Sequence, residues 1–493
     1  MQYSTVFKSK LDDIVFRLDA EYYHPACIDL ENKLQRFPAI SLRNAKAELD
    51  CSAFYPSIVS YYNFKKDGIP FIRVNEIQNG LLHLTTDTVF LPEEILDNNK
   101  STIARGKPRD LIIAKGGNTL AKIALLTDDY SSYSVCRDII ILKTSNLHQL
   151  NKFYLWIFLH SDIGQKLLLR TASQTGQPHL TVEAINNIKI PTFSDVFQDK
   201  FEGIYRQSQE FNSLSQKRYH ETEVLLLFEL GLLDWKPKHR LSFIKNYSDT
   251  QQAGRFDAEY FQPKYDEIVA AIKNYKGGWD TLGNLASLKK CIEVGSEEYS
   301  DEGIPFVRVS NLSPFETTEE KYISEKLYSE LTPKEEPDVT FEESKNHQPK
   351  KGEILFSKDA TPGIAYFLSE EPQKMIPSGG ILRLKLKDKQ IKPSYLTLVL
   401  NSLIVQEQIN RDVGGSVILH WRPDQVEKTL IPILKEGKQD EIQQKITESF
   451  SLRKQSKQLL ECAKKAVEMA IEKDEETAMQ WLDSQIDSIE RGN

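Results

Sequence analysis

Two short stretches carry side chains that could hold a phosphate. Lys115-Gly116-Gly117-Asn118-Thr119 follows an apolar, strand-like run, Leu111 to Ala114. Ser357-Lys358-Asp359-Ala360-Thr361-Pro362-Gly363 follows another at Ile354 to Phe356. A strand that ends in lysine and a tight glycine turn gathers an ammonium and several backbone amides at one point, which suits a phosphate. An ordinary hairpin with a surface lysine has the same pattern. Two later loops add other groups. Ser173-Gln174-Thr175-Gly176-Gln177-Pro178-His179 and Gly414-Gly415-Ser416-Val417-Ile418-Leu419-His420-Trp421-Arg422 present amides, hydroxyls, imidazoles and a guanidinium. Such groups pair with base edges as well as phosphates. The candidate contact residues are Lys115, Asn118, Thr119, Gln174, Gln177, His179, Lys358, Thr361, Ser416, His420 and Arg422. Arg105, Lys107, Arg109, Lys115, Lys122 and Arg137 give the first region a local basic density. Arg73 and Arg308 sit inside strand-like segments, where pairing with a carboxylate is the expected role.

Catalytic patterns are missing. Gly116 to Ile123 resembles a phosphate loop, but Ala121 stands where the second glycine belongs and Ile123 where Ser or Thr would hold Mg²⁺. Pro337-Asp338 with Glu343-Ser344-Lys345 has nuclease-like residue types packed too tightly for acidic groups on separate strands, so a solvated loop is expected. The sequence lacks G-x-S-x-G, H-E-x-x-H and a dinucleotide fingerprint. It also lacks an Asn-Pro-Pro or Asp-Pro-Pro followed by an aromatic, and its nine histidines show no metal-ligand spacing. Neither a metal nor a directly bound cofactor is expected.

The positioning elements come in duplicate. Arg17-Leu18-Asp19-Ala20-Glu21-Tyr22-Tyr23-His24-Pro25 returns as Arg255-Phe256-Asp257-Ala258-Glu259-Tyr260-Phe261-Gln262-Pro263. Gly68-Ile69-Pro70-Phe71-Ile72-Arg73-Val74 returns as Gly303-Ile304-Pro305-Phe306-Val307-Arg308-Val309. Ile190-Pro191 and Gln198-Asp199 return as Ile431-Pro432 and Gln439-Asp440. The near-constant shift is far longer than a solenoid period. It marks one tandem duplication of a unit large enough to hold its own core. His179 and His420 occupy equivalent positions, which favours a shared loop shape over the reading of different bases. Two copies of one fold about a pseudo-twofold axis suit a two-part target.

Each copy begins with short β-rich runs between Gly, Pro, Asn and Asp punctuation. A Leu- and Ile-rich helical stretch follows, Leu150 to Arg170 and Ser394 to Arg411. The expected fold is α+β: two tandem mixed α/β domains with a curved, mostly antiparallel sheet, each followed by a long helix. The expected boundaries are a first domain at 1–195, a helix at 196–233, a linker at 234–253, a second domain at 254–435, and a C-terminal helix and tail at 436–493. No proline interrupts Phe197 to Leu233 or Gln439 to about Leu482. Phe201, Tyr205, Ser208, Asn212, Ser215, Tyr219, Thr222 and Leu226 match Ile442, Ile446, Ser449, Arg453, Ser456, Leu460, Ala463 and Val467. Alternating steps of four and three are heptad spacing. The shared register favours an antiparallel coiled coil of the two helices over each helix lying on its own domain.

Composition excludes other classes. At 493 residues, with 40% hydrophobic and 27% charged content, the chain is of globular type. The net charge of −8 argues against a generic nucleic-acid coating protein but leaves room for local basic faces. The five cysteines form no CxxC pair, as expected in a reducing cytoplasm. Met1 to Lys10 lacks the apolar core of a signal peptide. The apolar run Val224 to Leu233 is short and contains Glu229, so no membrane association is expected.

These segments in this order, twice over, resemble the specificity subunit of type I restriction–modification systems. The resemblance rests on G-I-P-F-[IV]-R-V, the lysine-and-glycine turn after a strand, Tyr154-Leu155 and Tyr395-Leu396, and I-P then Q-D leading into a long helix. It covers nearly the whole chain. It implies two target-recognition domains, each reading half of a split double-stranded DNA site, with paired helices setting the gap. It implies docking of two methyltransferase subunits, which carry S-adenosylmethionine, and of restriction/translocase subunits, with no chemistry on this chain. Copy one departs from the pattern at Leu120-Ala121, where copy two has Gly363, and this puts its turn geometry in question. The acidic stretch Glu316 to Glu343 is expected to face away from DNA. The alternatives are a recognition module of a split methyltransferase–nuclease and a scaffold that binds only protein.

Overall fold

The computed structural model describes residues 5–7, 11, 17–53, 57–64, 66–85, 88–172, 178–334, 338–387, 390–413 and 419–491. In copy one the main strands are β1 (Ala39–Ser41), β2 (Glu48–Cys51), β3 (Ile69–Ile72), β4 (Val89–Leu91), β5 (Arg105–Gly106), β6 (Leu111–Ala114), β7 (Ile123–Leu125), β8 (Tyr133–Val135), β9 (Ile139–Lys143) and β10 (Lys189–Pro191), besides a short hairpin of Ile77–Gln78 with Leu81–Leu82. Its main helices are α1 (Pro25–Leu34), α2 (Lys152–His160), α3 (Asp162–Thr171) and the long α4 (Asp195–Glu229). Copy two repeats the plan with α5 (Pro263–Lys273), β11 (Trp279–Thr281), β12 (Ala286–Lys290), β13 (Ile304–Val307), β14 (Tyr322–Ile323), β15 (Ile354–Ser357), β16 (Ala365–Phe367), β17 (Ile376–Pro377) and β18 (Ile381–Leu386). Then come α6 (Pro393–Asn401), α7 (Leu403–Val413), β19 (Leu430–Pro432), α8 (Glu436–Glu472) and α9 (Glu475–Glu490).

The two copies are wired alike. A four-stranded antiparallel sheet has the order β2-β9-β6-β7 in copy one and β12-β18-β15-β16 in copy two. The register is also kept: Ile139 faces Ala114, and Ile381 faces Ser357. Each copy has one parallel pairing, β3 with β8 and β13 with β17, in a separate small sheet. The strands are thus mostly antiparallel and divided among several short sheets. Gly68 and Gly303 begin the repeated G-I-P-F strands at φ +108° and +131°. A Cβ there would lie 2.4 Å from the Leu91 carbonyl oxygen and 2.5 Å from that of Ile323, so close strand approach requires glycine.

The chain divides into two compact units, residues 1–213 with 452–493, and residues 214–451. In the first, α2 is buried from Phe153 to Leu159 and packs with Phe197, Phe201 and the later α8 residues Leu459, Ala463 and Val467. In the second, α6 is buried from Ser394 to Leu400 and packs in one core with Leu226, Leu230, Ile442 and Ile446. A helix apolar on all sides belongs inside such a core.

Within each unit α4 and α8 run together. Ser456 Oγ donates to the Ser208 carbonyl at 2.9 Å, and Ser449 Oγ to the Ser215 carbonyl at 2.8 Å. In the second unit Arg218 meets Glu448 and Glu221 meets Lys445, three residues forward on α4 with three back on α8, so the pair is antiparallel. The heptad positions are buried at Phe201, Tyr205, Ser208, Asn212, Ser215, Thr222 and Leu226; Tyr219 and Arg453 are half-buried. Serine at the seam lets the helices approach: the Ser449 and Ser456 hydroxyls find backbone acceptors on α4, and Ser215 Oγ meets Ser449 Oγ at 3.1 Å. Beside the seam, Lys445 pairs with Glu221 at 2.7 Å and Arg218 with Glu448 at 3.1 Å.

One expectation needs correction. The C-terminal helix does not run unbroken to Leu482: α8 ends at Glu472 and α9 starts at Glu475. Asp474 makes the break, its carboxylate accepting from the Thr477 N–H at 2.7 Å as a helix cap. The segment 234–253 contains one short helix. Tyr247–Ala253 is helical, entered through Asn246 and Asp249 and closed by Gly254 in the left-handed region.

Candidate nucleic-acid interface

The repeated motifs build a frame, and their side chains are spent on it. Arg17 forks onto Asp19 at 2.5 and 2.7 Å and donates to the Thr171 carbonyl at 3.1 Å. Arg255 forks onto Asp257 at 2.7 and 3.0 Å and donates to the Asp412 carbonyl at 2.8 Å. Tyr22 stacks against Arg17 and Arg170, with guanidinium-to-ring distances of 5.1 and 4.2 Å. Tyr260 does the same with Arg255 and Arg411 at 4.6 and 5.5 Å. The hydrogen bond from Arg17 holds the Asp19 carboxyl below its ordinary range. At Asp257 burial works to raise the value, but Arg255 and the Tyr260 N–H outweigh it and the net shift is downward.

The Q-D motif is a second clamp. Gln198 accepts from the Asn151 N–H at 2.8 Å and donates to the Phe193 carbonyl at 3.0 Å. Gln439 repeats this with Lys392 at 2.9 Å and Leu434 at 2.8 Å. The Tyr154 hydroxyl donates to the Pro191 carbonyl, and that of Tyr395 to the Pro432 carbonyl. Arg73 and Arg308 take the expected structural role, pairing with Glu76 at 2.9 Å and Glu320 at 2.7 Å.

On this frame the candidate turns meet the candidate loops. In copy one, Gly116 bridges to His179 and the Leu180 N–H donates to the Lys115 carbonyl at 2.9 Å. In copy two, Asp359 bridges to His420 and the Trp421 N–H donates to the Lys358 carbonyl at 2.8 Å. Both loops alternate an exposed histidine with a buried apolar residue, Leu180 or Trp421, as a strand would. Ala121 takes φ +65° where Gly363 takes +98°. Their N–H groups make the same 2.9 Å bond, to Ala114 and Ser357. Gln165 and Gln406 donate to their carbonyls at 3.0 and 3.1 Å. The missing glycine has therefore not changed the turn.

The side chains differ between copies. Lys115 is half-buried and Lys122 and Arg137 are exposed, and among the described residues none has a carboxylate partner. Arg105 and Arg109, by contrast, are compensated by Asp97 at 2.8 Å and Asp128 at 3.0 Å, which reduces the local basic density. Thr119 Oγ1 donates to the Gly116 carbonyl at 3.1 Å and shapes the turn. In copy two, Lys358 pairs with Asp359, whose other oxygen lies 2.9 Å from His420 Nδ1. Thr361 is exposed, and its carbonyl accepts from Ser357. Arg422 is exposed, pairs with Asp424 at 3.2 Å and opens the short helix Pro423–Glu427. Gln174, Gln177, Ser416 and the Asn118 side chain lie outside the described residues. Sequence reasoning missed Asp359; its place opposite His420 in a matched turn was the available signal.

Among the described residues no group of three metal-binding side chains occurs, and no helix is long and apolar enough to cross a membrane. No protein-family model and no curated protein matches the sequence. Among solved structures the chain is similar to the S subunit of a type I restriction–modification system from M. genitalium, at 11% identity and TM-score 0.36, covering 92% of this chain and 96% of that one. It is similar to the HsdS subunit of Thermoanaerobacter tengcongensis, at 13% identity and TM-score 0.26, covering 89% and 97%. A third similar chain comes from a structure describing assembly and conformational transition of the type I restriction–modification system, at 13% identity and TM-score 0.28, covering 89% and 98%.

Proposed function

We propose that this chain is the non-catalytic DNA-reading subunit of a type I restriction–modification assembly. One observation carries the reading: two equivalent domains each bring a strand-end lysine turn against a histidine-bearing loop, through the same bridge and the same hydrogen bond. A surface built twice suits a target in two parts. Each domain reads one half of a double-stranded site, and the α4–α8 pair spaces the halves. Two methyltransferase subunits, which supply S-adenosylmethionine, dock on those helices, and restriction/translocase subunits join for cleavage. The mixed sequence of the loops accounts for base reading, and Lys115, Lys122 and Arg137 for phosphate contact.

Binding to duplexes of defined sequence at two salt concentrations tests this. A DNA reader loses affinity steeply as salt rises, in proportion to the phosphates it contacts. Replacing residues 1–195 with the matching part of a relative should change one half-site and leave the other. Absence of specific binding at any salt, or a change in both half-sites together, would remove the reading.

A further inference from the structure

Copy one has Gly116 where copy two has Asp359, each bridged to the loop histidine. At Gly116 the imidazole fills the space: a Cβ there would lie 2.5 Å from His179 Nδ1. Asp359 puts a carboxylate at that position, and one of its oxygens lies 2.9 Å from His420 Nδ1. The Asp359 side chain keeps 22% of its surface exposed, and His420 keeps 66%. One oxygen faces Lys358 and the other faces His420 Nδ1. Each carboxylate oxygen carries two acceptor sites, so neither partner exhausts its oxygen.

A carboxylate on a loop laid against DNA is repelled by phosphates. Lys358 offsets that charge and fixes the rotamer. What remains useful is acceptance from an amino group on a base edge. In the major groove such donors are cytosine N4 and adenine N6, while guanine and thymine present acceptors there. We infer that Asp359 is a specificity-determining residue of copy two, selecting a base whose major-groove edge carries an exocyclic amino group. The inference rests on the DNA-reading function proposed above and adds the base class to it.

The test measures binding of the full chain, with the wild-type residue, Asp359→Asn and Asp359→Ala, to duplexes that carry each base in turn at every position of the copy-two half-site. Two further duplexes remove only the amino group, using pyrimidin-2-one for cytosine or purine for adenine. Wild type should prefer cytosine or adenine at one position, by roughly 5- to 150-fold. The analogue that lacks the amino group should lose that preference, and Asp359→Ala should abolish it at that position alone. Asp359→Asn should shift it toward adenine, since an amide pairs with adenine N6 and N7. The cytosine and adenine arms tell which donor is read. Identical base preferences for wild type and both variants would overturn the inference while leaving DNA reading intact. Absence of any base preference in wild type would overturn the proposed function itself, and the inference with it.

Discussion

The turn at Lys115 and the turn at Lys358 close with the same backbone bonds, and the same glutamine position holds each from behind. Their surfaces differ. The first carries Lys115, Lys122 and Arg137 with no carboxylate partner among the described residues; the second carries the Lys358–Asp359–His420 group, with Glu293 accepting from the neighbouring Gly379 N–H. The contrast extends into the sheet beneath. Copy one places Ile141 beside Ile112, with Asp110 held by the Lys107 and Thr144 N–H groups. Copy two places Arg383 beside Leu355 and pairs it with Glu353 at 2.7 and 2.8 Å, both side chains almost wholly buried. Backbone geometry and clamps have been kept across the duplication, while charged groups have been free to diverge. A backbone bond tolerates any side chain that leaves its φ and ψ alone, whereas a surface charge answers only to what it meets.

The buried pair should show the largest effect. Arg383→Ala leaves Glu353 buried without its partner and should destabilise the chain by about 3–5 kcal/mol. Replacing both, Arg383→Ile with Glu353→Leu, should be near neutral or mildly stabilising, because buried ion pairs barely repay their desolvation. Copy one already tolerates isoleucine at that strand position. Denaturant unfolding of the single and double variants decides it, and equal losses in both would mean that the two sheets are not interchangeable.

Next in size is the left-handed turn position. In Gly363→Ala a new Cβ meets Gln406 Nε2 and Ile409 Cδ1, each at 2.4 Å, at φ +98°. The crowding and the backbone strain should together cost about 1–3 kcal/mol. Ala121→Gly relieves about 1 kcal/mol of left-handed strain. It also loses a buried methyl worth about 0.8 kcal/mol, so its net effect on unfolding should be close to zero.

The charge contrast predicts unequal responses in DNA binding. Lys115→Ala should flatten the salt dependence by about one unit of slope, weakening all sequences alike. Lys358→Ala should flatten it less, because its ammonium already neutralises Asp359. Titrations of both variants at several salt concentrations measure this, and equal slopes would mean that the Lys358 pair opens on DNA.

Much of the frame was legible in the sequence. The duplication, the heptad register and the strand–turn pattern rest on local spacing, which a single chain displays. The role of Gln198 and Gln439 was not legible, because their partners, Asn151 and Lys392, lie on other elements and only folding brings them close. The break at Asp474 was hidden for a different reason: sequence reading looked for proline, and here a capping carboxylate ends one helix by starting another. At the interface, the meeting of turn and loop was anticipated only as recurrence at matched places. Whether each lysine is committed to a carboxylate depends on rotamers that spacing does not report.

The smallest expected effect concerns what the copies share. Asp19 and Asp257 both sit below the ordinary carboxylate range, Asp19 chiefly through Arg17, and Asp257 through Arg255 and the Tyr260 N–H against burial. A carboxyl whose folded value is depressed stabilises the fold above its unfolded value, near 3.8. That contribution disappears as pH falls through the folded value. Asp19→Asn and Asp257→Asn should therefore each lose a little stability at pH 7. Since the Asp19 side chain keeps 26% of its surface in solvent and that of Asp257 43%, screening should hold each loss under about 1 kcal/mol. The difference from wild type should persist down to about pH 5 and shrink below pH 4, where the wild-type carboxyl becomes protonated too. Unfolding of wild type and both variants at pH 7, 5, 4 and 3 measures it. Because each clamp has the same fork and the same tyrosine, the two variants should trace the same curve. A pH-dependent loss in one variant and none in the other would show that the duplication has diverged in its frame as well as in the charges of its turns.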